Sequence, residues 1–260
     1  MIHLHVRSWF SFLAGGSSPE ELVETAHRLG LPTLALTDTH GVYGALRFQL
    51  ACQQAGIHPV IGAEIAFQEA PLVLLAQHAG GYAKLCQLLT LYHVRQDEPL
   101  TLGDLARHHE GLFCLTGGTE SRLQHLVDCR RLQQATTWLH DLQSVYGNHL
   151  RIEVCNLRRP GDLYAAKQML RLAAELSIVP VASNDVRYAS PEAYRRYDLL
   201  TCVRLGLTVH ELHPARPSNA EAHLKSPEAM AALIPSRPAL DHTAALAEAC
   251  SIDLLSEHIT

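Results

Sequence analysis

Ile2-His3-Leu4-His5-Val6 is the stretch whose reading decides the fold. It is apolar and β-prone, and its two histidines stand two residues apart. Side chains alternate along a strand, so both imidazoles are expected on one face, with Ile2, Leu4 and Val6 on the other. Two neutral imidazoles converging on one point suit a divalent metal. Taken alone the pair also reads as two ordinary polar residues on a strand face, and where the other acids fall decides between the two.

The chain that follows alternates short apolar runs with helical stretches. The runs are Ile2–Val6, Thr33–Thr37, Pro59–Ile65, Leu72–Gln77, Leu112–Thr116, Leu150–Cys155 and Val179–Ser183. Amphipathic segments lie between most of them. The first is well marked: Ser18 is an N-cap, Pro19 takes the first helical position, Glu21 completes a capping box and Gly30 stops the helix. Others are expected over about Gly44–Ala55, Tyr82–Val94, Arg130–Tyr146 and Leu163–Leu176. Repeated strand–helix units imply parallel strands joined by right-handed crossovers. Seven of them fit a closed or nearly closed β/α barrel, with a doubly wound sheet as the alternative. The barrel is expected over residues 1–189. Residues 190–260 read as a helical appendix, with helices over Pro191–Leu205, from Ser226 onward, and from Asp241 or His242 to Cys250, and a loop over 206–224.

Composition limits what the chain can do. It has 260 residues, enough for one large domain, with 47% apolar and 18% charged residues. A net charge of −5 argues against holding nucleic acid by charge alone. No apolar run reaches the length of a membrane span. The seven cysteines are scattered, odd in number and form no C-x-x-C, as expected of reduced core thiols in a cytoplasmic protein. There is no G-x-S-x-G elbow and no Walker loop.

The functional residues of a β/α barrel sit at the C-terminal ends of its strands. Those ends carry His5, Thr37-Asp38-Thr39-His40, Ala63-Glu64, Thr116-Gly117-Gly118 and Ser183-Asn184-Asp185, and His93 lies late in the helix after the fourth run. Histidines and carboxylates together form a mixed N/O ligand set suited to Zn, Mn or Fe. Taken singly, Asp38 and Asp185 also read as N-caps, His40 as a loop residue and His93 as a surface histidine at a helix end. His3, His5, Glu64 and Asp185 together read as one site.

The motifs His3-Leu4-His5-x-x-Ser8, Ala35-Leu36-Thr37-Asp38, Ile61-Gly62-Ala63-Glu64 and Ala182-Ser183-Asn184-Asp185-Val186 resemble the PHP (polymerase and histidinol phosphatase) domain. More closely, the chain resembles the N-terminal PHP region of bacterial C-family DNA polymerase alpha subunits. Leu112–Gly118, Tyr194–Val209 and His223–Met230 are most similar to the error-prone, translesion branch. The resemblance covers essentially the whole chain. It implies a distorted TIM-like barrel of seven strands with up to three metals at the strand ends. It implies phosphoesterase or 3′–5′ exonuclease chemistry in active members, and polymerase palm and thumb domains, or a separate polymerase chain, as partners. His3, His5, Glu64, His93 and Asp185 match metal-ligand positions; Asp38 matches a strand-end position, and His40 and Arg187 are further candidates in the cleft. The departures are Ala14, Thr39, Gly118 and Arg187, which stand where active members carry ligands. Ala14 and Gly118 offer no donor, and Arg187 keeps its proton. A PHP domain with a partly degenerate metal site and a structural role is therefore expected. A metal-dependent phosphoesterase, with DNA as a phosphodiester substrate, is the alternative, and a metal-free barrel binding an anion at Arg187 is a third reading.

Overall fold

The computed structural model describes residues 1–95 and 98–255. Among them one sheet holds six strands in the order of the chain: β1 (Thr33–Thr39), β2 (His58–Phe67), β3 (Ala70–Ala76), β4 (Leu112–Leu115), β5 (Leu150–Cys155) and β6 (Val179–Ser183). The helices are α1 (Pro19–Arg28), α2 (Ala45–Ala55), α3 (Ala79–Val94), α4 (Leu102–Arg107), α5 (Arg122–Asp128), α6 (Leu132–Tyr146), α7 (Asp162–Glu175), α8 (Tyr194–Leu205), α9 (Pro227–Leu233) and α10 (Arg237–Glu248). None is long and apolar enough to cross a membrane.

Two expectations about the sheet are corrected. The strands are not all parallel: β3 runs antiparallel to both β2 and β4. Only Gln68 and Glu69 separate β2 from β3, both with positive φ (52° and 65°), the conformation of a tight hairpin turn. A parallel return needs a crossover of a dozen or more residues, and two residues cannot make one.

The first of the seven expected runs is not a regular strand. Residues 2–6 make isolated parallel bridges, His3 to Leu34 and Val6 to Val186. The His3 carbonyl accepts from Ala35 N–H at 3.0 Å and the Val6 carbonyl from Thr37 N–H at 2.8 Å. Two residues of β1 thus face three of the N-terminal segment, the mark of a bulge. Beyond the bulge, Val186 N–H donates to the His5 carbonyl and Arg7 N–H to the Val186 carbonyl. The segment therefore bonds β1 on one side and the chain just after β6 on the other. It draws the two edges of the curled sheet together.

The sheet has an inner and an outer face. Val60, Val73, Leu75, Phe113, Leu115 and Val181 pack inward with Leu4, and Leu246 and Cys250 close this core from the end of α10. Outer-face residues such as Ile65, Leu74, Ile152 and Val154 pack against the helices, and Met230, Leu233 and Leu240 of α9 and α10 join the same cluster. Ser18 caps α1 through the expected box with Glu21. The last helix begins at Arg237, earlier than expected, because Ser236 caps it and Pro238 suits its first turn. The stretch expected as one helix over Pro191–Leu205 opens with a 3₁₀ turn at 191–193. The short helices α4 and α5 are not foreseen in the sequence; each is capped by a Ser or Thr, at Thr101 and Ser121.

Gly62 of β2 lies opposite Leu75 of β3. A Cβ there would lie 2.4 Å from the Leu74 carbonyl oxygen and 2.7 Å from Leu75 Cδ2. The nearest atom is backbone held in the sheet, so it cannot move aside. Gly62→Ala is expected to lower stability by about 2–3 kcal/mol in urea unfolding. An unchanged midpoint would show that the two strands are not so closely apposed.

Candidate functional site

The inner face ends, at the C-terminal side of the parallel strands, in a buried polar cluster. β2 supplies Glu64, β5 supplies Glu153, the loop after β6 supplies Asp185 and Arg187, and the N-terminal segment supplies His5 and Arg7. All six side chains are essentially withdrawn from solvent. Three carboxylates face three groups able to carry positive charge.

Arg7 lies at the centre. Its Nε donates to Glu64 Oε2 at 3.0 Å, and its Nη2 makes a second, closer bond to the same oxygen. Its Nη1 donates to Asp185 Oδ1 at 2.8 Å. His5 lies between two carboxylates, with Nδ1 2.8 Å from Glu153 Oε1 and Nε2 3.0 Å from Glu64 Oε2. Its Nε2 is also 3.9 Å from Asp185 Oδ1. Arg187 closes the outer side, donating through Nη2 to Asp185 Oδ2 (3.1 Å) and through Nη1 to Glu120 Oε1 (3.1 Å) and the Tyr197 hydroxyl (2.8 Å). Thr119 donates from its backbone N (3.1 Å) and its Oγ1 (2.5 Å) to Asp185 Oδ2, and Thr39 Oγ1 donates to Glu64 Oε1 at 3.1 Å.

These contacts set the protonation states. Burial opposes a charge on His5, but the carboxylates of Glu153, Asp185 and Glu64 outweigh it and hold the imidazole up at about 10. Burial would likewise raise Glu64, yet Arg7 and His5 hold its carboxyl down at about 2. Asp185 is kept well below the usual carboxylate range, its burial overcome by Arg187, Arg7 and His5. At neutral pH His5, Glu64 and Asp185 are fixed ions, and none of the three is a base ready to take a proton.

Of the residues expected at a metal site, the structure brings together His5, Glu64 and Asp185. His3 is elsewhere. The bulge turns it to the opposite face from His5, where Nε2 lies 2.9 Å from the Lys225 carbonyl. Its Nδ1 is buried with no hydrogen-bond partner among the described residues, and burial presses its pKa down to about 4. His93 is exposed at the rim of α3 and donates from Nε2 to the His40 carbonyl at 2.6 Å. Asp38 faces away from the cluster, because Thr37 and Thr39 take the inward positions of β1. It accepts from Ser8 N–H and Ser11 Oγ at 2.7 Å each, and from Ser8 Oγ at 2.8 Å, so it clamps the loop after the N-terminal segment. His40 stacks on Tyr92 with ring centroids 4.3 Å apart, and its backbone N donates to the Glu64 carbonyl at 2.7 Å. Arg187, expected in the cleft, is inside the cluster.

Two central residues are not foreseen in the sequence. Arg7 continues the alternation of His3 and His5, which is the signal that could have found it. Glu153 is a carboxylate in the middle of an apolar strand, a placement rare without a buried partner.

As they stand, these residues do not fit a divalent ion. Glu64 Oε2 and Asp185 Oδ1, the oxygens that would hold one, are both bonded to the Arg7 guanidinium. Among the described residues no group of three or more His, Cys, Asp and Glu side chains is arranged to hold a metal.

Comparison with known proteins agrees with this fold. Residues 3–156 match the family described as PHP domain. Over 96% of its length the chain is 33% identical to an error-prone DNA polymerase of Symbiobacterium thermophilum, of which it covers 25%. It is 32% identical over 96% of its length to the DNA polymerase III subunit alpha of Treponema pallidum, of which it covers 23%. The chain thus spans about a quarter of the length of the curated relatives it matches. Among solved structures, a two-domain protein from Bacteroides vulgatus containing a predicted PHP-like metal-dependent phosphoesterase superposes with a TM-score of 0.50. Identity there is 15%, over 72% of this chain and 52% of that one.

The charges predict an unusual pH dependence. Glu64, with its pKa depressed to about 2, contributes stability that is present above pH 4.5 and lost as the pH falls toward 2. His5, raised to about 10, contributes stability that is full below pH 6.5 and lost as the pH rises toward 10. His5→Gln should therefore cost more stability at pH 6 than at pH 9 when urea midpoints are compared. An equal cost at both values would mean that His5 is not held as a cation.

Proposed function

This chain belongs to the PHP domain family, and on that premise we propose that it is the N-terminal PHP region of an error-prone C-family DNA polymerase alpha subunit, serving as a structural part rather than as a hydrolase. The barrel occupies residues 1–189 and a helical extension follows from residue 190. The palm and thumb of the polymerase, on the same chain or a separate one, are the partners. DNA is met through them.

The observation that carries this reading is the position of Arg7. Metal-assisted phosphoester hydrolysis needs an open coordination position where water is activated beside the phosphate. Here the point between Glu64 and Asp185 holds a guanidinium bonded to both. The Zn, Mn or Fe expected from the sequence would have to displace it. Metal-free hydrolysis would need a base near neutrality. His5 is held protonated, while Glu64 and Asp185 are weak bases locked to arginines. Asp185 is fully buried, out of reach of a substrate.

A structural role has a distinct signature in mutants. Glu64→Ala leaves Arg7 and His5 facing each other without the carboxylate between them. Breaking a buried ion pair by removing one partner costs roughly 3–5 kcal/mol. That loss should appear in urea unfolding of the variant. The wild-type chain should release no nitrophenol from nitrophenyl phosphate and shorten no single-stranded DNA, with Mn²⁺ or with Zn²⁺. A metal-stimulated rate in the wild type, abolished by Glu64→Ala, would replace this reading with that of a metal-dependent phosphoesterase.

A further inference from the structure

We propose that the cavity between α1, the loop after β6 and α9 is a binding site for a small organic anion, a phosphate or carboxylate carried on an apolar body. Its volume is about 520 Å³, and none of the residues of the Arg7 cluster lines it. Small-molecule pockets span about 300–1,000 Å³ and combine apolar walls with a few placed polar groups. The inference is independent of the reading of the chain as a structural part of a polymerase.

The lining is part cationic and part apolar. Lys225, Arg28 and Arg158 meet Glu221 as the carboxylate of the lining, in a chain whose net charge is −5. Glu192 lies nearby, exposed and bonded to Ser190. Lys84 and Lys167 reach solvent, but Lys225 is buried, a rare place for a lysine. Its backbone is held by His3, whose Nε2 lies 2.9 Å from the Lys225 carbonyl. Its Nζ donates to the Glu221 carbonyl at 2.8 Å and lies 3.2 Å from Glu221 Oε2 and from the His223 ring nitrogens. Leu29, Leu224 and Leu233 supply the apolar part.

The two arginines keep donors to give. Arg158 Nη1 stops 3.8 Å from Glu221 Oε1, beyond hydrogen-bond length. Its backbone has a φ of 56°, strained for an arginine, with the N–H donated to Asn156 Oδ1 at 3.0 Å. Arg28 donates from Nη2 to Thr25 Oγ1 at 2.9 Å and remains exposed. A guanidinium carries five N–H donors, so both forks can take an oxyanion without breaking a bond they already make. Lys225 adds positive charge at the wall, held in place by Glu221. A neutral molecule would leave the guanidinium donors unused, and a bare inorganic ion would leave the leucines uncovered. The combination selects an anion on an apolar body.

The test titrates the wild type with phenyl phosphate and with phenylacetate by calorimetry, using benzyl alcohol as the uncharged control. At least one of the two anions should bind at about one equivalent and raise the unfolding temperature, and benzyl alcohol should do neither. Arg28→Gln combined with Arg158→Gln, both at exposed positions, should weaken that binding by about tenfold or more and leave the unfolding temperature of the free protein unchanged. Ala232→Phe, which places a ring in the cavity from an exposed position on α9, should abolish it. The proposal is overturned if neither anion binds, or if binding survives either the arginine pair or Ala232→Phe. Equal binding of benzyl alcohol overturns it as well, since the cavity would then not select charge. Because the readouts are binding and unfolding temperature, the result is separate from whether the wild type hydrolyses phosphoesters.

Discussion

The bond pattern between Arg7 and the carboxylates of Glu64 and Asp185 is the constraint on which the rest depends. Glu64 comes from the second strand, Asp185 from the loop after the sixth, and Arg7 from the segment that draws the two edges of the sheet together. One side chain thus ties three distant parts of the chain at the end of the barrel axis. The hydrophobic interior beneath, built on Leu4, Val73, Leu115 and Val181, has no direction of its own. The ions above it require a specific geometry. A buried charge left without its partner is strongly penalised, so the alternatives to this arrangement are disfavoured.

The bulge in residues 3–6 follows from the same constraint. A regular strand would carry His3, His5 and Arg7 on one face. The extra residue leaves His3 outside, bonded to the Lys225 backbone, while His5 and Arg7 turn inward together. The Val6 N–H, displaced from the ladder, is satisfied by Thr37 Oγ1 at 2.9 Å. The loop that follows is anchored by Asp38, whose carboxyl is raised by burial despite the hydrogen bonds it accepts from Ser8 and Ser11. The mouth of the barrel is thus held from inside by ions and from outside by this carboxylate clamp.

Much of this was legible in the residues, and the failures have physical causes. β5 and β6 begin and end where the apolar runs do, because short apolar runs between turn residues have few other uses. The capping box of α1 was equally plain, since it depends on contacts within one turn. The reversal of β3 was hidden. Gln68 and Glu69 are not typical residues for positive φ, and only their number, two, forbids a crossover. In the site, Glu64, Asp185 and His5 stood at strand ends and were found there. His3 lies off the expected face because alternation assumes a regular strand, and a bulge leaves no mark in a five-residue run. Arg7 stands two residues beyond His5, but a pair of histidines two apart already satisfies the expectation of a metal. Arg187 is expected in the cleft and lies in the cluster, yet the guanidinium between Glu64 and Asp185 is that of Arg7.

The central claim is that the end of the barrel axis is neutralised by the chain's own cations. A crystal structure of the wild-type chain grown with Mn²⁺, with data collected to show anomalous scattering from manganese, tests it most directly. The account predicts the Arg7 guanidinium between Glu64 and Asp185 and no anomalous peak between those carboxylates. A manganese peak there, with Arg7 turned aside, would contradict it.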